Sequence, residues 1–179
     1  MACISKLASA IAYDCDTGAT GLISAVIINK ADIASYRVNT DGNAVEQLTL
    51  VPGAKAYRID TVKRSLVVSS ALKINDGAPN ALTHSVTGVL TRTQNGVWRL
   101  LISALTNGSF VVVAKASVVD FPLVFGLYYG LSTTAIDKNS HDNGGWTTFT
   151  METPENVIGE DPLSISQVDY DALYEAAVG

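Results

Sequence analysis

Few side chains in this sequence have the type and spacing that chemistry needs, and each group that does has a plain structural reading beside it. Ser140, His141 and Asp142 stand in a row within "DKNSHDNGG" (137–145). A nucleophile, its base and the acid that orients the base must converge from separate parts of a fold. Three neighbours in a run of turn formers therefore read as a solvated loop. The other histidine, His84 in "ALTHSV", occupies a half-buried strand position and reads as packed or hydrogen-bonded. With 2 histidines in the chain, a His-rich metal site is excluded.

The carboxylates follow the same logic. Asp14 and Asp16 flank Cys15 and fall on one face of a strand, where a cation would still need a third oxygen from elsewhere. A solvated strand end is the simpler reading. Glu152 and Glu155 bracket Pro154, and neither pair has the apolar setting that tunes one carboxyl into a general acid. "DTGATG" (16–21) lacks both the strand–GxGxxG–helix context and a GK[ST] ending, so it does not cradle phosphate. "NGS" (107–109) matches a glycosylation acceptor but reads as the end of a helix. Cys3 and Cys15 could bridge if their strands paired. They supply no four-ligand zinc set, and free reduced thiols are the expectation. These residues predict no catalytic constellation, no metal and no cofactor: the chain reads as a protein other than an enzyme.

Composition bounds the rest. A chain of 179 residues is long enough for one domain with a sizeable core. Charged residues make up 16%, well below the roughly 25% of an ordinary soluble domain, and the mean hydropathy is +0.24. Such a surface is either unusually neutral or partly hidden against other subunits. Net charge is −5, from 12 Lys and Arg against 17 Asp and Glu. The densest basic pair is Lys63–Arg64, too little to neutralise a phosphate backbone. An acidic surface suits a different relation to DNA, letting it pass without sticking. The N-terminal "MACISKLASAIAYDC" has no apolar stretch of signal-peptide strength. No run approaches the ~18 apolar residues of a membrane-spanning helix. An unexported chain without a membrane span is predicted.

The periodicity favours strands. "LISAVIIN" (22–29) is an apolar run of buried-strand length. Residues 30–55 alternate weakly and contain the hairpin signal Asp41-Gly42, which predicts an extended loop or hairpin arm. "AYRIDT" and "SLVVSSALKIND" alternate more cleanly, with Tyr57 and Ile59 on one face and Leu66, Val68, Ser70, Leu72 and Ile74 on another. They are expected to form a long strand hairpin. "ALTHSVTGVLT" gives a further strand. Within "NGVWRLLISALTNGSFVVVAKAS" (95–117), Val97, Leu101, Ala104 and Leu105 share one helical face. Gly108 is expected as the left-handed residue that ends that helix, and a strand comes immediately after. "FPLVFGLYYGLSTTAI" holds one or two strands, with Tyr128, Tyr129 and later Trp146 expected in packing. "WTTFTMET" (146–153) alternates, and the segment after Pro154 is acidic. The expectation is a mainly β fold, a β-sandwich or partial barrel with one packed α-helix. Its domain spans 1–155, followed by an acidic C-terminal tail at 156–179.

A resemblance joins these residues. Met1, Ala2, Cys3, Cys15, Asp16 and Gly18 or Gly21 match the opening of a group of virion proteins from phages and prophages of Bacteroidetes, which are similar to siphophage tail-tube (major tail) subunits. The likeness runs in order through "AYRIDTVKRSLVVSSALKIND", "LTHSVTGVL", "LLISALTNGSFVVVAKA" and "FGLYYGLSTTAIDKNSHDNGGWTTFTMETPE", covering about residues 1–155. Two departures stand out: the apolar "SVVDFPLVF" replaces an acidic, asparagine-rich hairpin, and the tail after Pro154 has no counterpart.

The resemblance implies a structural subunit of a phage virion, made in the bacterial host cytoplasm. Copies would join into a ring or tube of the tail or head–tail neck that conducts DNA without binding it specifically. Partners would be copies of itself and adjacent virion proteins. The inter-subunit strands would carry Tyr57, Ile59, Leu66, Val68, Leu72 and Ile74. The helix, through Val97, Leu101, Ala104, Leu105 and Gly108, would stiffen the ring. Two alternatives remain: a capsid-decorating or accessory virion protein, and a small β-sandwich that binds a ligand through exposed aromatics.

Overall fold

The structure is a computed structural model that describes residues 22–59, 66–74, 76–77, 80–90, 97–116, 121–138, 147–155, 157 and 159–177. In chain order its elements are β1 (Leu22–Asn29), β2 (Ile33–Val38), β3 (Ala44–Leu50), β4 (Tyr57–Ile59), β5 (Val67–Lys73), β6 (Ala81–Leu90), α1 (Val97–Asn107), β7 (Ser109–Ala116), β8 (Leu123–Phe125), β9 (Leu131–Lys138), β10 (Thr147–Glu152), β11 (Leu163–Ile165) and α2 (Gln167–Ala176). A single 3-10 turn, Lys30–Asp32, links β1 to β2.

The unbroken apolar runs of β1 and β7 pair antiparallel at the centre, Ala25 opposite Ala114 and Ile28 opposite Val111. Side chains of a strand alternate between faces, and here both faces are covered. Val26, Ile28, Val111 and Val113 enter one core with Val45, Val124, Leu163, Ile165 and Tyr170. Ala25, Phe110, Val112 and Ala114 enter a second with Leu66, Val86, Leu131, Phe149 and Met151. That double burial explains why neither strand alternates with polar residues.

On its other side β7 is shared. Ser109 and Phe110 pair with β9, whereas Val112, Val113 and Ala114 pair with β8. The sheet forks at the tight turn between them, Gly126 to Gly130. One branch runs β8–β11–β3–β2 and the other β9–β10–β6–β5, while β4 lies beyond β1. The result is mainly β with sandwich-like packing, as the composition implied.

Several expectations need correction. The segment after Pro154 is not a tail outside the domain. β11 inserts between β3, to which it is parallel, and β8, to which it is antiparallel. α2 then buries Tyr170 and packs Leu173 and Tyr174 on the first core, so the described residues form two α-helices. Ser166 caps α2, its Oγ accepting from the Asp169 N–H at 3.1 Å. Within residues 30–55 the hairpin β2–β3 forms, and it is docked on the chain's own sheet through β11. Its turn uses Asp41-Gly42 as expected, with Gly42 at φ 74° and the Gly42 N–H on the Asn39 carbonyl at 3.0 Å.

The expected long hairpin over 57–74 does not form either, because β4 pairs with β1 and β5 with β6. Pairing with the central strand carries Ile59 onto the second core, a gain that local pairing with β5 would forfeit. Gly108 ends α1 for a different reason from the one expected. Its φ is not left-handed; a Cβ there would meet the Phe110 ring at 2.3 Å and the Ala104 carbonyl oxygen at 2.6 Å. Space, not backbone sign, demands glycine.

Candidate assembly surface

β5 is an edge. Among the described residues it pairs only with β6, in register from Val67 opposite Thr87 to Lys73 opposite Ala81, and none of them pairs with its outer N–H and C=O groups. Leu66 and Val68 pack on the second core, and Ser70 Oγ meets His84 Nδ1 at 2.8 Å. The same face then runs past the core, where Leu72 is 62% and Ile74 74% exposed. Val67, on the opposite face, is 55% exposed. An edge strand normally carries charge or proline to blunt further pairing; this one carries a single lysine, Lys73, at its end.

The residues expected in strand contacts therefore divide. Tyr57, Leu72 and Ile74 are exposed, Ile59 and Val68 are half-buried, and Leu66 is buried. Tyr57 stands on β4, whose pairing among the described residues is with β1. On the helix, Leu105 is buried, but Leu101 and Ala104 are exposed. The expected packing face thus meets its own chain at only part of its width. Val97 opens α1, and its side chain lies outside the described residues. So do Cys3, Asp14, Cys15, Asp16, His141 and Trp146.

A second surface was not expected. Tyr128 and Tyr129 were predicted in packing, yet both are exposed. They ride on the fork turn, where Gly126 and Gly130 both take φ 76° and push the pair outward. Tyr36 from β2 meets Tyr128 edge-on at 5.9 Å between ring centroids. Lys30 Nζ stands 5.4 Å from the Tyr36 centroid. Two other tyrosines turn inward: Tyr170 is buried with its hydroxyl 2.6 Å from Ser24 Oγ. Tyr174 stacks on Tyr170 beneath Arg58, whose Nε donates to the Tyr174 carbonyl at 2.8 Å.

Two titratable groups are buried nearby. His84, expected as packed or hydrogen-bonded, is both: beyond Ser70 it stands edge-on to Phe125 at 5.2 Å. Burial lowers its pKa, opposed by the neighbouring Glu160 carbonyl and the Asp161 charge. Glu160 is the residue that sequence reasoning missed. Its Oε2 accepts from the Tyr128 N–H at 2.8 Å, and Oε1 is buried without a hydrogen bond to the described residues. Burial raises its pKa, against the pull of the Tyr128 N–H, Lys30 and the Gly126 N–H. No local signal in "GEDP" announces this, since the partner turn lies some 30 residues away in sequence.

These groups are engaged structurally. Among the described residues, no set of three or more His, Cys, Asp or Glu side chains is placed to hold a metal ion. A cleft of about 330 Å³ between β3 and α2 is lined by residues that include Glu46, Thr49, Asp169 and Leu173. Among the described residues no helix is long and apolar enough to cross a membrane. Compared with protein-family models, curated proteins and solved structures, the chain matches none.

Proposed function

We propose that this chain is a non-enzymatic structural subunit of a phage virion, joining with copies of itself into a ring or tube of the tail or head–tail neck through which DNA passes. The observation that carries the reading is the open β5 edge with Val67, Leu72 and Ile74 turned to solvent. An apolar edge left unpaired is an aggregation hazard unless another chain completes it, and a heterologous contact that closes gives a ring. The low charge content and net charge of −5 agree with a surface largely covered by neighbours and a lumen that does not hold DNA.

Light scattering on the purified protein, with negative-stain microscopy of the same fractions, tests this. Rings or tubes with a central hole wide enough for duplex DNA are expected. A protein that stays monomeric or trimeric at high concentration, and also fails to assemble on isolated tail or neck complexes, sinks the reading in favour of a decorating role. The Tyr36, Tyr128 and Tyr129 surface favours a second reading, a ligand-binding module, because exposed tyrosines beside a lysine suit stacking on a planar or sugar ring. Tyrosine fluorescence titrated against a panel of oligosaccharides separates the two: saturable quenching that Tyr128→Ala abolishes supports the module.

A further inference from the structure

The buried carboxylate of Glu160 joins two parts of the chain that nothing local connects. It is 7% exposed and comes from the stretch leading into β11, yet its oxygen ends on the backbone of the fork turn at Tyr128. The Gly126 N–H also favours its charged form. The N–H groups of Gly126 and Tyr128, on either side of Leu127 in that turn, offset part of the cost of burying the charge. Lys30 completes the setting, its Nζ donating to the Leu127 carbonyl while its charge acts on Glu160.

The chain beyond Glu160 is held by burial of Leu163, Ile165 and Tyr170 in the first core and by few backbone bonds. β11 has three residues and contributes few strand hydrogen bonds, among them the Ile165 N–H to the Pro122 carbonyl at 2.9 Å. The Ser164 N–H reaches the Asn43 carbonyl at 3.0 Å. Yet β11 is the strand through which the β2–β3 hairpin is hydrogen-bonded to the rest of the sheet. Upstream, Thr153 is fixed to β6, its N–H on the His84 carbonyl at 3.0 Å and its Oγ1 accepting from the His84 N–H at 2.9 Å. Between Thr153 and β11 the described residues are held at Glu155, whose carbonyl accepts from Lys73 Nζ at 3.2 Å, at Gly159, close against the Leu82 carbonyl, and at Glu160.

We propose that residues 159–177 form a detachable strap anchored by Glu160 on the 126–130 turn, and that releasing it opens the facing edges of β3 and β8 together. The strap closes the gap between two strands that, among the described residues, do not pair with each other. Opening it leaves the central β1–β7 pair and the β9–β10–β6–β5 branch intact. Local opening of this kind proceeds at a free energy below that of global unfolding and reports as a contiguous block of amides.

Amide hydrogen exchange on the full chain, read by mass spectrometry across increasing sub-denaturing urea, tests the strap in the wild type. Segments 44–50 and 163–177 should lose protection together, at lower urea than 81–90 and 109–116. In Glu160→Ala the same two segments, with 126–130, should exchange about tenfold faster or more, because the Tyr128 N–H loses its acceptor. Glu160→Gln, whose amide oxygen still accepts from Tyr128, should stay within about threefold of wild type. Exchange of 163–177 only with 81–90 and 109–116 in the wild type overturns the proposal. So does an Ala variant in which a folded chain shows no selective increase.

Discussion

Glu160 and His84 bind protons in opposite senses, and each sets a limb of the stability profile. Burial raises the Glu160 carboxyl above its ordinary value of 4.5. The folded chain thus holds that proton more tightly than the unfolded one, and the contribution is full below about 4.5 and lost as pH climbs through the folded value. His84 is lowered from 6.5; its contribution is full above about 6.5 and lost as pH falls through the folded value. Melting temperatures measured from pH 4 to 8 should therefore flatten on the rising-pH side in Glu160→Gln and on the acid side in His84→Asn. A Glu160→Gln profile parallel to wild type would show that the carboxyl does not titrate in this range. Glycines make a sharper residue-scale contrast. A Cβ at Gly159 would lie 1.9 Å from the Leu82 carbonyl oxygen, a backbone atom within β6, so Gly159→Ala should cost about 3 kcal/mol in urea unfolding. Gly53→Ala, at φ 85° but in open space, should cost only the backbone penalty of about 1 kcal/mol.

Elements show where local pattern is decisive and where it is not. α1 (Val97–Asn107) followed at once by β7 (Ser109–Ala116) was legible almost to the residue, because helical spacing and an apolar run are both local signals. The Asp41-Gly42 turn was legible for the same reason. Pairing was not: β4 joins β1 from some 30 residues away, and β11 enters between β3 and β8, choices made by long-range burial that periodicity does not encode. The candidate surface was half legible. Alternation put Leu66, Val68, Leu72 and Ile74 on one face, but only the reach of the core decides which end of that face stays wet. Two consequences can be measured. Leu105→Ala should cost about 2–3 kcal/mol and Leu101→Ala less than about 1, read by thermal unfolding of the single chain. The double variant Leu72→Lys/Ile74→Lys should leave that unfolding within about 0.5 kcal/mol of wild type while abolishing rings or tubes in light scattering. Unimpaired assembly in that variant would move the interface away from β5.

At the scale of the whole molecule, the charge balance bears on DNA. With a net charge of −5 and no dense basic cluster, the protein should not retard duplex DNA in a gel even at about 50 mM salt, where phosphate contacts are strongest. Retardation there would contradict the proposed lumen that lets DNA pass. The order of the sheet also sets a schedule. β3 ends at Leu50 and its partner β11 begins at Leu163, so on a ribosome the hairpin emerges long before the strand that completes it. At the usual 5–20 residues per second, the wait is on the order of 10 s. For that interval every nascent copy presents β3 uncovered beside other copies on the same message, and the yield of native chains becomes a race between finishing the chain and meeting a neighbour. Slowing translation over residues 51–162 should lower the soluble fraction, and speeding it should raise it.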